Sequence, residues 1–191
     1  MRYCAVKRAG QSIVLIGMMG AGKSFVGRCL HRRTGLALHD TDELVASKFG
    51  MSISEIFAKH GEKKFREAET EALRSIRTEE QTIIITGGGI VLRKENIEIL
   101  RSQAAIVWLD GDDETLFARA SRKQDRPLLQ TKNPRKAFSQ ILGTRRPLYA
   151  KIADIRVDTS VLTDEEVAVA ILSKLTRLHR KPESPLPATA S

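Results

Sequence analysis

The sharpest chemical signal in the sequence is the octet Gly17-Met18-Met19-Gly20-Ala21-Gly22-Lys23-Ser24, which has the spacing of a phosphate-binding loop. Glycines at these positions let the backbone wrap closely enough for successive N–H groups to point inward at phosphate oxygens. The helix expected to follow adds the partial positive charge of its N-terminus. In this arrangement Lys23 would reach the β- and γ-phosphates of a nucleoside triphosphate, and the Ser24 hydroxyl would ligate Mg²⁺. No Asn-Lys-x-Asp guanine-reading tetrapeptide is present. The apolar run Ile83-Ile84-Ile85 ends in Thr86-Gly87-Gly88-Gly89 rather than in an aspartate, so a magnesium carboxylate must come from elsewhere.

The next candidates are two carboxylates, a glycine run and a set of arginines. Asp40-Thr41-Asp42 is read as an extended segment, whose alternation would put both carboxylates on one side. One would hold a magnesium-bound water, and the other would accept a hydrogen bond and a proton from a substrate hydroxyl. The plainer alternative is helix capping by Thr41 or Asp42. Gly87-Gly88-Gly89 offers bare N–H groups to an anion, or simply turns a strand into a helix. Between Gly61 and Glu69, a helix start puts Arg66 and Glu69 three residues apart on one face, either as an oriented guanidinium or as an exposed ion pair. Arg119 to Leu129 is basic and broken by Pro127, which suits a lid closing on phosphates or a solvated turn. Arg145-Arg146 adds two more guanidiniums ahead of Pro147-Leu148-Tyr149.

These groups converge only if the right elements carry them. Short apolar runs at Ser12–Ile16, Leu36–His39, Thr82–Thr86, Ala105–Leu109 and Ile155–Asp158 read as strands buried on both faces. Helical patterns intervene, with capping boxes at Ser52–Glu55 and Thr163–Glu166, and with Gly35 and Gly61 placed to stop helices. Alternating strands and helices predict an α/β fold with a parallel sheet covered on both sides and ligands beyond the carboxyl ends of its strands. The expected division is an extension over 1–11, one domain over 12–178 and a disordered, proline-containing tail over 179–191.

Composition bounds the remaining possibilities. The 191 residues include 32 Lys and Arg against 23 Asp and Glu, a balance of +9 that favours anionic partners. No recognition helix, zinc finger or aromatic RNA-binding signature accompanies that charge, so a nucleotide-dependent nucleic-acid binder is the weaker alternative and no nucleic-acid partner is expected. No apolar run is long enough to span a bilayer or to form a signal core, and Cys4 and Cys29 have no paired spacing. A cytoplasmic protein with reduced thiols and no membrane partner is expected.

Taken in order, these segments resemble the shikimate kinases, small members of the nucleoside-monophosphate-kinase-like P-loop proteins, over about Ser12 to Thr159. The resemblance implies a three-layer P-loop kinase fold with a five-stranded parallel sheet. It also implies a small substrate-binding helical region over about 41–70 and a lid over about 121–133. The implied reaction is ATP-dependent phosphorylation of the 3-hydroxyl of shikimate by a monomer, with Mg²⁺ as cofactor. Matched by motif, Gly20, Ala21, Gly22, Lys23, Ser24 and Phe25 would surround ATP. Arg119 would stack on adenine, Arg126 would reach phosphate from the lid, and Asp40 would join Ser24 at the metal. Lys23, Asp42 and Arg126 would be catalytic, with Asp42 holding the substrate hydroxyls as the candidate base. Arg66 and Arg145 would grip the substrate carboxylate, Gly87, Gly88 and Gly89 would supply backbone contacts, and Phe57 and Phe65 would form apolar walls. Spacing to Pro147 favours Arg145 over Arg146. The loop after Thr159 has no basic residue and receives no role. The alternative within the fold is a kinase for another hydroxy acid, such as gluconate.

Overall fold

The computed structural model describes residues 12–76, 80–122 and 126–178. The expected N-terminal extension and C-terminal tail, Cys4, and the middle of the expected lid at 123–125 lie outside the described residues.

Five strands form one parallel sheet, β1 (Ser12–Ile16), β2 (Ala37–Asp40), β3 (Thr82–Ile85), β4 (Ala104–Asp110) and β5 (Ile155–Asp158), in the order β2-β3-β1-β4-β5. The register sets Ile13 beside Ile83 and Ile16 beside Trp108, so the apolar runs stack into one core. The three inner strands are buried at every residue, as continuous apolar runs require. The two edge strands depart from the expected burial on both faces. β2 is half-exposed, and β5 alternates, with Ile155 and Val157 inward and Arg156 and Asp158 outward. An edge strand has a neighbour on one side only, so less of it is covered.

The helices among the described residues are α1 (Lys23–Thr34), α2 (Thr41–Phe49), α3 (Ile53–Ser75), α4 (Lys94–Gln103), α5 (Asp113–Ser121), α6 (Pro134–Ile152) and α7 (Asp164–Leu178). Both capping boxes form: Ser52 and Glu55 exchange hydrogen bonds at α3, as do Thr163 and Glu166 at α7. Gly35 ends α1 in the left-handed region. Gly61 interrupts α3 with φ of 76°, and the helix resumes at once, which lets one element turn Phe57 and Phe65 toward the same space. Between α2 and α3, Val45, Ile56, Phe65, Ala68 and Ala72 form a small apolar cluster of their own beside the main core.

β1 lies at the switch of the strand order: the chain leaves it for β2 on one flank and later fills β4 and β5 on the other. The crevice beyond its carboxyl end is where such a sheet takes ligands.

Candidate active site

Beyond the carboxyl end of β1 the chain passes through Gly17, Gly20 and Gly22, all with positive φ, and enters α1. No side chain caps α1 and its first turn holds no acidic residue, whereas α2, α3, α5 and α7 each have at least one there. The positive end of this helix is left open to an anion. Lys23 Nζ donates to the carbonyl oxygens of Gly17 at 2.8 Å and Met18 at 3.1 Å, folding the ammonium back over the loop. Burial, with Arg126 nearby, pushes its pKa down to about 8. The Ala21 methyl is buried and its N–H closes the loop onto Met18 O, so Ala21 stands behind the cavity wall rather than in it.

Two cavities open at this edge. The larger, about 620 Å³, is lined by Gly20, Gly22, Lys23, Ser24, Phe25, Asp40, Arg119 and other residues. The smaller is lined by Phe57, Phe65, Arg66, Gly87, Gly88, Gly89 and Arg145 with their neighbours. Met19, Asp42, Gly88 and Arg126 border both. A carboxylate and a guanidinium therefore stand where the two spaces meet, and Arg126 Nε there has no hydrogen-bond partner among the described residues.

The carboxylate pair reaches this junction by a route other than the extended alternation. Asp40 ends β2 and caps α2, its Oδ1 accepting the Asp42 N–H at 3.0 Å, so Asp42 already sits in the first helical turn. The capping residue is Asp40, not Thr41 or Asp42, because the β-to-α change falls one residue earlier. Thr41 instead accepts the Gly87 N–H at 3.2 Å. Asp40 Oδ2 accepts from Ser24 Oγ at 3.4 Å, which places a hydroxyl and a carboxylate side by side in the larger cavity. Two hard oxygen donors suit an ion such as Mg²⁺, which keeps most of its shell as water and phosphate oxygen. Burial, with Glu69 and Asp40 nearby, pushes the Asp42 carboxyl up to about 6, and its Oδ1 is buried without a partner.

The glycine run is explained first by space. A Cβ on Gly87 would lie 2.4 Å from Glu69 Oε1 and 2.7 Å from Asp42 Oδ1, and one on Gly89 would lie 2.2 Å from Arg66 Nη1. Three charged side chains close over Gly87 and Gly89, where a Cβ would displace them, whereas a Cβ on Gly88 would meet nothing nearer than 3.4 Å. Arg66 Nη1 donates to Glu69 Oε2 at 2.9 Å, and Glu69 is wholly buried, so this is not an exposed surface pair. Burial raises the Glu69 carboxyl above its ordinary range against the pull of Arg66. The backbone of Arg66 is tied back by Arg93, whose guanidinium donates to Arg66 O and Thr70 Oγ1.

The phase of α6 separates the two adjacent arginines. Arg145 is buried against the smaller cavity and makes no ion pair among the described residues; burial lowers its pKa. Arg146 points away, to Asp113 Oδ1 and Gly111 O, each at 2.7 Å, and to Asp110 Oδ1 at 3.3 Å. Arg119 donates to the Thr159 and Ser160 carbonyl oxygens, which ties the end of α5 to the loop after β5.

Some wall residues lay beyond the sequence reading. Leu162, Thr163 and Asp164 line the larger cavity from the loop given no role, and Arg122 and Ile85 join them. Ile53 lines the smaller one. The available signal was positional: the loop after β5 leaves the same sheet edge as the phosphate loop.

This arrangement has counterparts in known proteins. The family model for shikimate kinase matches residues 19–176. A shikimate kinase of Thermodesulfovibrio yellowstonii is 42% identical over 168 residues, spanning 88% of this chain and 96% of the relative. The solved structure of a shikimate kinase from Acinetobacter baumannii in complex with shikimate superposes with a TM-score of 0.86 at 34% identity, covering 90% of this chain and 96% of that one. A gluconokinase from Sinorhizobium meliloti superposes at 0.59 and is 20% identical over 88% of this chain and 93% of its own, a likeness of fold alone. By sequence and by structure, the chain belongs to the shikimate kinase family.

Proposed function

We propose that the protein transfers the γ-phosphoryl group of ATP to the 3-hydroxyl of shikimate, with the reaction centred where the two cavities meet. The observation that carries this reading is that Asp42 and Arg126 border both spaces, one lined by the phosphate loop and the other by two arginines and the glycine run. The larger cavity takes ATP, with its phosphates under the open N-terminus of α1 and against Lys23, Arg119 against the base, and Phe25 at the mouth. Ser24 and Asp40 would hold Mg²⁺, which when bound neutralises phosphate charge.

Shikimate takes the smaller cavity. Its ring lies by Phe57 and Phe65, and its carboxylate lies on the forked donors of Arg66 and Arg145, near the Gly87–Gly89 backbone. A hydroxyl then faces Asp42, whose free Oδ1 accepts its hydrogen bond. As the oxygen–phosphorus bond forms and the bond from the γ-phosphorus to the β,γ-bridging oxygen breaks, the hydroxyl proton passes to Asp42 and later to solvent, and ADP leaves. Arg126 and Lys23 meet the charge on the transferring group. Positioning and charge neutralisation account for most of such catalysis.

The test is ADP release with Mg²⁺ and ATP, comparing shikimate, quinate, gluconate and no acceptor. Release that depends on shikimate is expected. Release with gluconate or quinate alone would keep the phosphate site and overturn the acceptor. A second result separates the adjacent arginines. Arg145→Ala should raise KM for shikimate by about 30-fold or more and leave KM for ATP within about twofold, as loss of a charged hydrogen bond does. Arg146→Ala, which strips one partner from buried Asp110 and leaves Arg156, should cost about 1–3 kcal/mol of stability in thermal melts, with both KM values within about threefold.

A further inference from the structure

We propose that Tyr149 is a positioning residue for substrate carboxylate recognition, its phenol oxygen fixing the Gly88–Gly89 peptide against which the Arg145 guanidinium lies. Tyr149 does not line the smaller cavity; it stands behind it, wholly buried, with its ring against Trp108 at a centroid distance of 6.1 Å. Packing therefore fixes the ring, and only the hydroxyl can act. That hydroxyl donates to the Gly88 carbonyl oxygen, across a sequence separation of 61 residues. Arg145 sits one helical turn earlier on α6, and its Nη1 lies about 3.5 Å from where a Cβ on Gly88 would stand, beside the peptide that the phenol holds.

One bond thus ties α6, which carries Arg145, to the glycine wall from a distant part of the chain. Arg145 has no carboxylate to hold it among the described residues, so the packed surface beside Gly88 is what sets the direction of its fork. Gly88, with no side chain, has little of its own to fix its peptide plane, and the phenol clamps that plane through the carbonyl. Burial pushes the phenol pKa up to about 12, so it keeps its proton and remains the donor to Gly88 across the working range. A phenylalanine would fill the same volume and lose the bond to Gly88.

The inference rests on the reading of Arg145 as a carboxylate ligand, and the experiment separates the two. Steady-state kinetics of the full chain are compared with shikimate and with its methyl ester, for wild type, Tyr149→Phe, Arg145→Ala and the double variant. Tyr149→Phe should raise KM for shikimate by about tenfold, leave KM for the ester and for ATP within about twofold, and so shrink the preference for the acid. Because Tyr149 acts on the Arg145 fork by way of the Gly88 peptide, the double variant should lose little more than Arg145→Ala alone. A parallel rise for acid and ester, or full additivity, overturns the inference. If Arg145→Ala removes the preference and Tyr149→Phe leaves it intact, only the inference fails. If Arg145→Ala leaves the preference intact, the reading of Arg145 fails with it.

The chain has two tyrosines, so 3-fluorotyrosine labelling gives a second readout that needs no substitution at 149. The fluorine resonance of Tyr149 should move on adding shikimate and stay in place with the ester. A resonance that ignores shikimate overturns the proposal.

Discussion

Asp42→Asn is expected to abolish turnover and to make the protein more stable. The substitution keeps the shape of the side chain and removes its ability to take a proton, so kcat should fall by about 10³-fold. Stability moves the other way because of where the carboxylate sits. Burial and the neighbouring Glu69 and Asp40 lift the Asp42 pKa to about 6, above the roughly 3.9 of an unfolded chain. The native state therefore holds that proton more tightly than the unfolded state, and the contribution of Asp42 is fully present below about pH 4 and lost as pH rises through about 6. At pH 8 the ionised group costs the fold about 1–2 kcal/mol once partial exposure is allowed for, equivalent to roughly 2–8 °C. Thermal melts should show the Asn variant ahead by that amount at pH 8 and level with wild type near pH 4. In wild type, kcat/KM for shikimate should drop tenfold per unit below about pH 6, where the base is protonated. An Asn variant within tenfold of wild-type turnover would remove Asp42 from the chemistry. Equal melting temperatures at every pH would show that its ionisation carries no strain. Lys23, pushed down to about 8 mainly by burial, points the same way: the free protein holds an acid and a base in states that ligands favour more than folding does.

Much of this organisation was legible because it is local. The apolar runs of β1, β3 and β4 mark inner strands without any knowledge of their neighbours, and the Gly17–Ser24 spacing names its own chemistry. Ser52 with Glu55 and Thr163 with Glu166 announce helix starts that the structure supplies. What the sequence hides is set by long-range packing or by helix phase. That β2 and β5 are edges depends on strand order, although the alternation of Ile155-Arg156-Val157-Asp158 already matches a strand covered on one face. Spacing to Pro147 favours Arg145 over Arg146, but the reason Arg145 faces the cavity is the rotation of α6, fixed by contacts such as Arg146 with Asp113. The glycine run reads equally well as an anion cradle or as a turn. Only the folded chain shows Asp42, Glu69 and Arg66 closing on it from other elements. Asp40 and Asp42 line the larger cavity through a geometry other than the extended one expected, because a cap and an extended strand end look alike until the next helix is seen.

The second large effect separates binding from folding at Arg66. Arg66→Ala should raise KM for shikimate by about 10²-fold, the value of a charged hydrogen bond to the substrate carboxylate, while KM for ATP holds within about twofold. It should also weaken the fold, because Glu69 has no exposed surface and its Oε2 is held by Arg66 at 2.9 Å. Removing one partner from a buried pair costs about 3–5 kcal/mol, so melting should fall by roughly 10 °C at neutral pH. The sign of the pH dependence identifies the cause. The Glu69 carboxyl is already raised above its ordinary range, and without the guanidinium it rises further. The native variant then holds the proton that the unfolded chain releases above about pH 4.3, and its deficit should shrink as pH falls toward that value. Arg66→Ala with Glu69→Gln removes the buried charge altogether. It should recover most of the lost stability at pH 7 and none of the lost affinity. If the double variant regains shikimate binding, Arg66 serves only to neutralise Glu69 and the carboxylate must be held elsewhere. If it stays as unstable as Arg66→Ala, the deficit comes from lost packing of the guanidinium over Phe65, whose ring lies 5.1 Å away, and not from an unpaired charge. The expected pattern, stability restored and affinity still absent, would make Arg66 a ligand whose buried partner serves to aim it.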